Sequence, residues 1–190
     1  MSGNDACIGL PAQVNADCRV LVLGSMPGAA SLQQARYYAH PRNRFWPLMA
    51  VLCGVDPGAD YATRLHQLQA AGVGLWDVIG HCRRRGSLDA DIVRGSEIAN
   101  PIAPLMAALP DLRLVACNGA AAHRAFVRFI QPALLAASTV PVLALPSTSP
   151  ANAAASLQKL QQAWWPLAEA RDNTPPTGHA SQRAIPAQGL

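Results

Sequence analysis

The reading of the fold turns on residues 19–24, RVLVLG. A short aliphatic run, partly β-branched and closing on glycine, reads as a parallel strand buried on both faces. It runs straight into residues 25–28, a loop with proline and glycine. A helix is expected from about Ser31, with Ser31 as its N-cap. Three later runs repeat the pattern: residues 73–79 (VGLWDVI), 112–117 (LRLVAC) and 140–145 (VPVLAL). Helical spacing is read between them over 45–52, 61–71, 98–109, the alanine-rich stretch after Gly119, and 151–168. Strands alternating with helices predict a parallel sheet covered on both faces.

The ends of the chain read differently. Residues 1–18 are expected to be a loose arm, and residues 81–91, with Arg83, Arg84 and Arg85, a solvated basic loop. From 171 to 190, Pro, Gly, Ser, Thr and Gln dominate, which predicts a disordered tail. One folded domain over 19–170 remains.

Composition bounds the function. The 190 residues are 51 % hydrophobic, enough for one core, and only 14 % charged. Lys and Arg number 15 against 11 Asp and Glu, a net charge of +4. That excess favours a polyanionic partner without proving one. It is almost all arginine, Lys159 being the lone lysine. Arginine suits phosphate because its planar fork binds two oxygens, although coding bias gives the same skew. The five cysteines, Cys7, Cys18, Cys53, Cys82 and Cys117, show no zinc-type or cluster spacing. They read as free thiols in a reducing cytoplasm. No signal peptide and no apolar run long enough to span a membrane is evident. The expectation is a cytoplasmic monomer without metal, metal cluster or cofactor.

In an open parallel sheet the site lies beyond the carboxyl ends of the strands. The loops after all four runs carry the unusual polar residues, so one geometric rule gathers them into one cleft. GSMPGAASL (24–32) offers a tight turn with exposed N–H groups, able to approach phosphate or sugar at Gly28 and Ser31; a plain structural turn fits as well. YYAHPRNRFW (37–46) interleaves aromatic, basic and amide groups, a mixture suited to a nucleobase on an anionic backbone. There Trp46 reads as core. Phe45 fits core or base contact equally, and His40 fits phosphate or packing against Pro41. LPSTSPANA (145–153) sets three hydroxyls and two prolines between strand and helix. It suits a phosphate grip, or a rigid turn with Ser149 or Asn152 as N-cap.

Taken in order, GSMPG, YYAHPRNRFW, GLWDV, CNGAAAH and LPSTSPANA resemble the uracil-DNA glycosylase superfamily, and in detail its hypoxanthine-DNA (deoxyinosine) glycosylase family. The resemblance covers about residues 19–168. It implies a three-layer α/β/α fold with a four-stranded parallel sheet, and a metal-free hydrolase that releases deaminated bases, hypoxanthine first and uracil second, for base excision repair. Many relatives carry Asp, Asn or Glu in the first motif to position water. Met26 stands there and cannot do so. The resemblance passes that role to Asn43, which could otherwise be a turn or cap residue. It implies that Phe45 stacks on the flipped base and that Asp77 occupies a base-reading position, unless Asp77 is a plain cap. Asn118, Met26 and Tyr38 complete the base-facing set. The last loop resembles a wedge, which assigns Ser147, Ser149, Pro150 and Asn152 to DNA beside Gly28, Ser31, His40 and Arg42. The alternative is a non-catalytic nucleic-acid-binding or nucleotide-binding module on the same fold.

Overall fold

The computed structural model describes residues 5–134 and 139–172. Among the described residues seven strands form two sheets: β1 (Ala6–Ile8), β2 (Val20–Gly24), β3 (Val73–Asp77), β4 (Ile79–Arg83), β5 (Ile98–Ala99), β6 (Leu114–Asn118) and β7 (Val142–Leu145). The helices are α1 (Ala29–Gln34), α2 (Phe45–Cys53), α3 (Tyr61–Ala70), α4 (Ile102–Ala107), α5 (Ala120–Phe129), α6 (Leu157–Ala163) and α7 (Trp165–Arg171). The main sheet has the order β3-β2-β6-β7, and all its pairings are parallel.

The strand read from RVLVLG lies inside that sheet, and its residues alternate between two cores. Val20 and Val22 face one cluster with Phe45, Leu48, Leu75, Ala116 and Trp164. Leu21 and Leu23 face the other, with Val115, Ile102 and Phe126. Strand side chains alternate faces, so one five-residue strand anchors both helical layers of a three-layer α/β/α fold. Each fully buried side chain contributes roughly 1.5–3 kcal/mol.

Several expectations change. Residues 5–18 are not loose. β1 pairs antiparallel with β4, Gln13 bridges Leu75, and Tyr37 and Trp76 donate to the Leu10 carbonyl. Residues 81–91 are not all loop. The run expected over 73–79 divides at Val78, and β4 continues into a small sheet of order β1-β4-β5. β4 was hidden because Gly80, His81 and Arg83 dilute its apolar character, yet its exposed and buried positions still alternate from Gly80 to Arg83. Ser31 is not an N-cap: Gly28 caps α1, and Ser31 lies inside it. The single helix expected over 151–168 is two. Ser156 caps α6 by accepting from the Lys159 N–H, and Pro166, at the start of α7, separates them. Neither Ser149 nor Asn152 is that cap. The tail expected over 171–190 lies outside the described residues beyond Asp172.

Candidate active site

Beyond the carboxyl ends of the parallel strands lies a cavity of about 840 Å³. Its lining includes Met26, Gly28, Ser31, Tyr38, His40, Arg42, Asn43, Asp77, Asn118, Ser147, Ser149, Pro150 and Asn152. Every residue singled out in the sequence is there except Phe45.

Asp77 ends β3, directly beside Gly24 at the end of β2. A side chain at position 24 would collide with its carboxylate, so the glycine makes room for it. Asp77 is 4 % exposed, and its Oδ2 has no hydrogen-bond partner. An unpaired polar atom in a buried place is unfavourable unless a ligand completes it. Burial pushes the carboxyl up to about 7; the Tyr37 hydroxyl and the Arg84 charge oppose the rise, while Asp89 adds to it. It is therefore substantially protonated near neutrality.

Phe45 corrects an expectation. Its ring is fully buried, and Tyr38 stacks over it with centroids 3.9 Å apart and planes 22° apart. Tyr38 therefore lines the cavity and Phe45 backs it. Trp46 packs edge-on against Phe45 within the same core. Tyr38 holds φ at 54°, a left-handed conformation that costs a non-glycine residue about 1–3 kcal/mol. The fold maintains that strain to present the ring. Asn43 reconciles its two readings: its Oδ1 accepts the Phe45 N–H at 3.0 Å at the start of α2. A carbonyl oxygen has a second lone pair, so Asn43 can brace the helix and still hold a water. His40 accepts the Arg42 N–H on Nδ1 at 3.1 Å, which leaves Nε2 to carry the proton when the ring is neutral.

The loop 147–152 is fastened from two sides. Asn118 donates from Nδ2 to the Thr148 hydroxyl at 2.9 Å and accepts the Thr148 N–H at 2.9 Å. The amide expected to meet a base thus spends one N–H and one lone pair on the loop, and it also lines the cavity. On the other side, Arg44 donates to the carbonyls of Ser149 at 2.8 Å and Asn152 at 2.6 Å, and its N–H to that of Thr148 at 3.0 Å. The Ser147 and Ser149 hydroxyls each accept an N–H two residues on, and Asn152 donates to the Ser147 carbonyl. These side chains fix a rigid turn whose outer surface remains at the cavity. The Ser31 hydroxyl likewise accepts the Ala39 N–H.

Sequence reasoning missed one wall. Ser87, Leu88 and Asp89 line the cavity from the loop after β4. Ser87 accepts the Ala29 N–H at 3.0 Å, and Ser25 donates to Asp89 at 2.6 Å. Buried Arg84 donates to the Pro27 carbonyl at 2.6 Å, bracing the glycine-proline turn from beneath. Arg85 pairs with Asp5 instead of facing solvent alone. Arg44 was missed too, because nothing local distinguishes it from Arg42. Its partners lie 104 to 108 residues away.

Among the described residues no group of His, Cys, Asp and Glu is placed to hold a metal ion, and no helix is long and apolar enough to cross a membrane. What remains is a cleft that brings together an aromatic ring, an unpaired buried carboxyl, an amide and a braced polar loop. The model of the uracil DNA glycosylase superfamily matches residues 11–168, and the chain belongs to that superfamily. It is a DNA glycosylase, a hydrolase of N-glycosidic bonds acting on DNA. Two similar proteins, from Methanosarcina barkeri and Methanosarcina acetivorans, are each named hypoxanthine DNA glycosylase. They are 38 % and 36 % identical over 112 residues, 58 % of this chain and 70 % of each relative. The solution NMR structure of a candidate uracil DNA glycosylase from Methanosarcina acetivorans superimposes with a TM-score of 0.70 at 28 % identity. The match covers 85 % of this chain and 98 % of that one.

Proposed function

We propose that this glycosylase releases hypoxanthine from deaminated DNA, with uracil second, as the opening step of base excision repair. The observation that carries the reading is the buried, unpartnered Oδ2 of Asp77 in the same cavity lining as Asn43. The names of the two Methanosarcina relatives support the choice of base.

A base inside a duplex is out of reach, so its nucleotide must be flipped, at a cost of a few kcal/mol that falls at a mispair. The turn 147–152, held by Arg44 and Asn118, presses on the strand while Gly28, His40 and Arg42 meet its phosphates. Tyr38, backed by Phe45, stacks on the extruded base, and Met26 packs beside it. Asp77 accepts N1–H from hypoxanthine. When protonated it also donates to O6, and a neutral carboxyl does not repel the base as it departs with the glycosidic electron pair. Asn43 holds a water through the free lone pair of Oδ1, below the anomeric carbon where positive charge develops. That centre needs an oriented water more than a strong base, and orientation alone can supply several kcal/mol.

The reading takes the protein as a monomer in the cytoplasm, a setting in keeping with five unpaired cysteines. Its test is a panel of duplex and single-stranded oligonucleotides carrying inosine, deoxyuridine or deoxyxanthosine, scored for abasic sites. Release from inosine DNA fastest, with uracil next, is expected. Inosine DNA left intact while another lesion is cleaved would reassign the base.

A further inference from the structure

On the far side of the segment 38–43 is a second cavity, of about 300 Å³. Tyr38, His40 and Asn43 line both cavities, so this short segment is the partition between them. The second cavity contains Arg36 and Arg64, and no carboxylate lines it. Neither guanidinium has a carboxylate partner among the described residues. Each lies instead over an aromatic face: Arg36 at 5.6 Å from the Tyr61 ring centre and Arg64 at 4.7 Å from that of Trp46. The Nε of Arg64 is buried without a hydrogen-bond partner.

The position in the fold matters equally. α3 leads through Ala71 and Gly72 into β3. A helix feeding a parallel strand runs antiparallel to it, so the first turns of α3, with Tyr61 and Arg64, lie at the carboxyl end of the sheet. That is the end where the catalytic cleft opens. The nearest helix-capping carboxylate, Asp60, is spent on the N–H and hydroxyl of Thr63. Two arginines placed over aromatic rings in one cavity, with no carboxylate among its lining, suit an oxyanion.

We propose that this second cavity binds a backbone phosphodiester of the substrate strand, next to the nucleotide flipped into the main cleft. The shared wall selects DNA over a free anion: a strand that places one nucleotide against Tyr38 and Asn43 must pass over Pro41 and Arg42, beside Arg36 and Arg64. The site would fix the strand on the side opposite the turn 147–152, so that the flipped nucleotide is gripped from both flanks. The proposal rests on the chain being a DNA glycosylase and is independent of which base it removes.

The test combines variants with chemically altered DNA. Binding of a duplex containing an abasic-site analogue is measured against salt for wild type, Arg36→Gln and Arg36→Gln/Arg64→Gln. The double variant is expected to bind about 10-fold more weakly, and the slope of log K against log[salt] to shrink by about 0.9 for each phosphate that is no longer neutralised. The weakening should appear in KM more than in kcat. Arg36 is exposed, so Arg36→Gln carries the test should the double variant not fold. In parallel, single linkages near the lesion are replaced by neutral methylphosphonates. One linkage should weaken wild-type binding yet leave the double variant unaffected. An unchanged salt slope, or a scan in which every linkage acts equally on wild type and variant, would overturn the proposal. So would inorganic phosphate protecting the site while the scan is silent, since that assigns it to a free anion.

Discussion

The ends of β3 and β6 flank the same central strand, and each presents one carbonyl-bearing side chain to the cavity. At the end of β6, Asn118 is bonded to both the N–H and the hydroxyl of buried Thr148. At the end of β3, Asp77 is more deeply placed, 4 % exposed against a half-buried Asn118, yet Oδ2 has no partner. A satisfied buried polar group builds the scaffold; an unsatisfied one awaits a ligand. Two residues of similar shape on neighbouring strands are thereby divided into support and recognition.

The sharpest way to probe that division is the residue with one foot in each role. Asn43 spends one lone pair on Phe45 and keeps the other. Asn43→Ala should slow single-turnover base release by at least about 100-fold, as the loss of a positioned polar group does, with DNA affinity measured by gel shift largely retained. Next comes the recognition side itself. Asp77→Ala should lower release of hypoxanthine by about 10-fold or more, with circular dichroism and melting showing an intact fold. That corresponds to about 1–3 kcal/mol for a lost buried hydrogen bond.

The scaffold side should respond in the opposite sense. Asn118→Ala strands the buried Thr148 groups, so stability in urea should fall by about 1–3 kcal/mol. Arg44→Ala should raise KM for duplex DNA several-fold while sparing single-stranded substrate, because the turn it fastens loses shape; both carbonyls are held by the one Nη2 nitrogen, so Arg44→Lys, with three donors on its ammonium, should restore part of the loss. The smallest effect is a slope in stability. Folding raises the Asp77 carboxyl from 3.8 to about 7. Between those values the folded state holds a proton that the unfolded chain has released. This group's contribution is therefore fully present below about 3.8 and lost as pH rises through 7. Urea midpoints of wild type and Asp77→Asn should diverge across that window and run parallel outside it.

How much of this was legible follows from the range of each interaction. The alternation of Val20 and Val22 with Leu21 and Leu23 is local, so RVLVLG announced the sheet. The rule that loops gather beyond the strand ends then placed Asp77 and the serine-rich turn in one cleft, while Asn43, between α1 and α2, was reached only through the family resemblance. Tyr38 and Phe45 were both named but their order was not readable, since which ring faces the cavity depends on a positive φ at Tyr38. Arg44 and Arg84 look like any surface arginine until the carbonyls they hold, far along the chain, are brought to them. The wall formed by Ser87, Leu88 and Asp89 escaped for a related reason. It hangs from β4, whose pairing with β1 gives a strand identity to residues too polar to claim it alone.

The contrast between the two strand ends is tested most directly by single-turnover release of hypoxanthine from inosine DNA, followed from well below to well above pH 7 in wild type and Asp77→Asn. If the unpaired carboxyl meets the base in its protonated form, wild-type release slows as Asp77 ionises near 7, and the amide variant is active with no such slope. Identical pH profiles for the two proteins would contradict it.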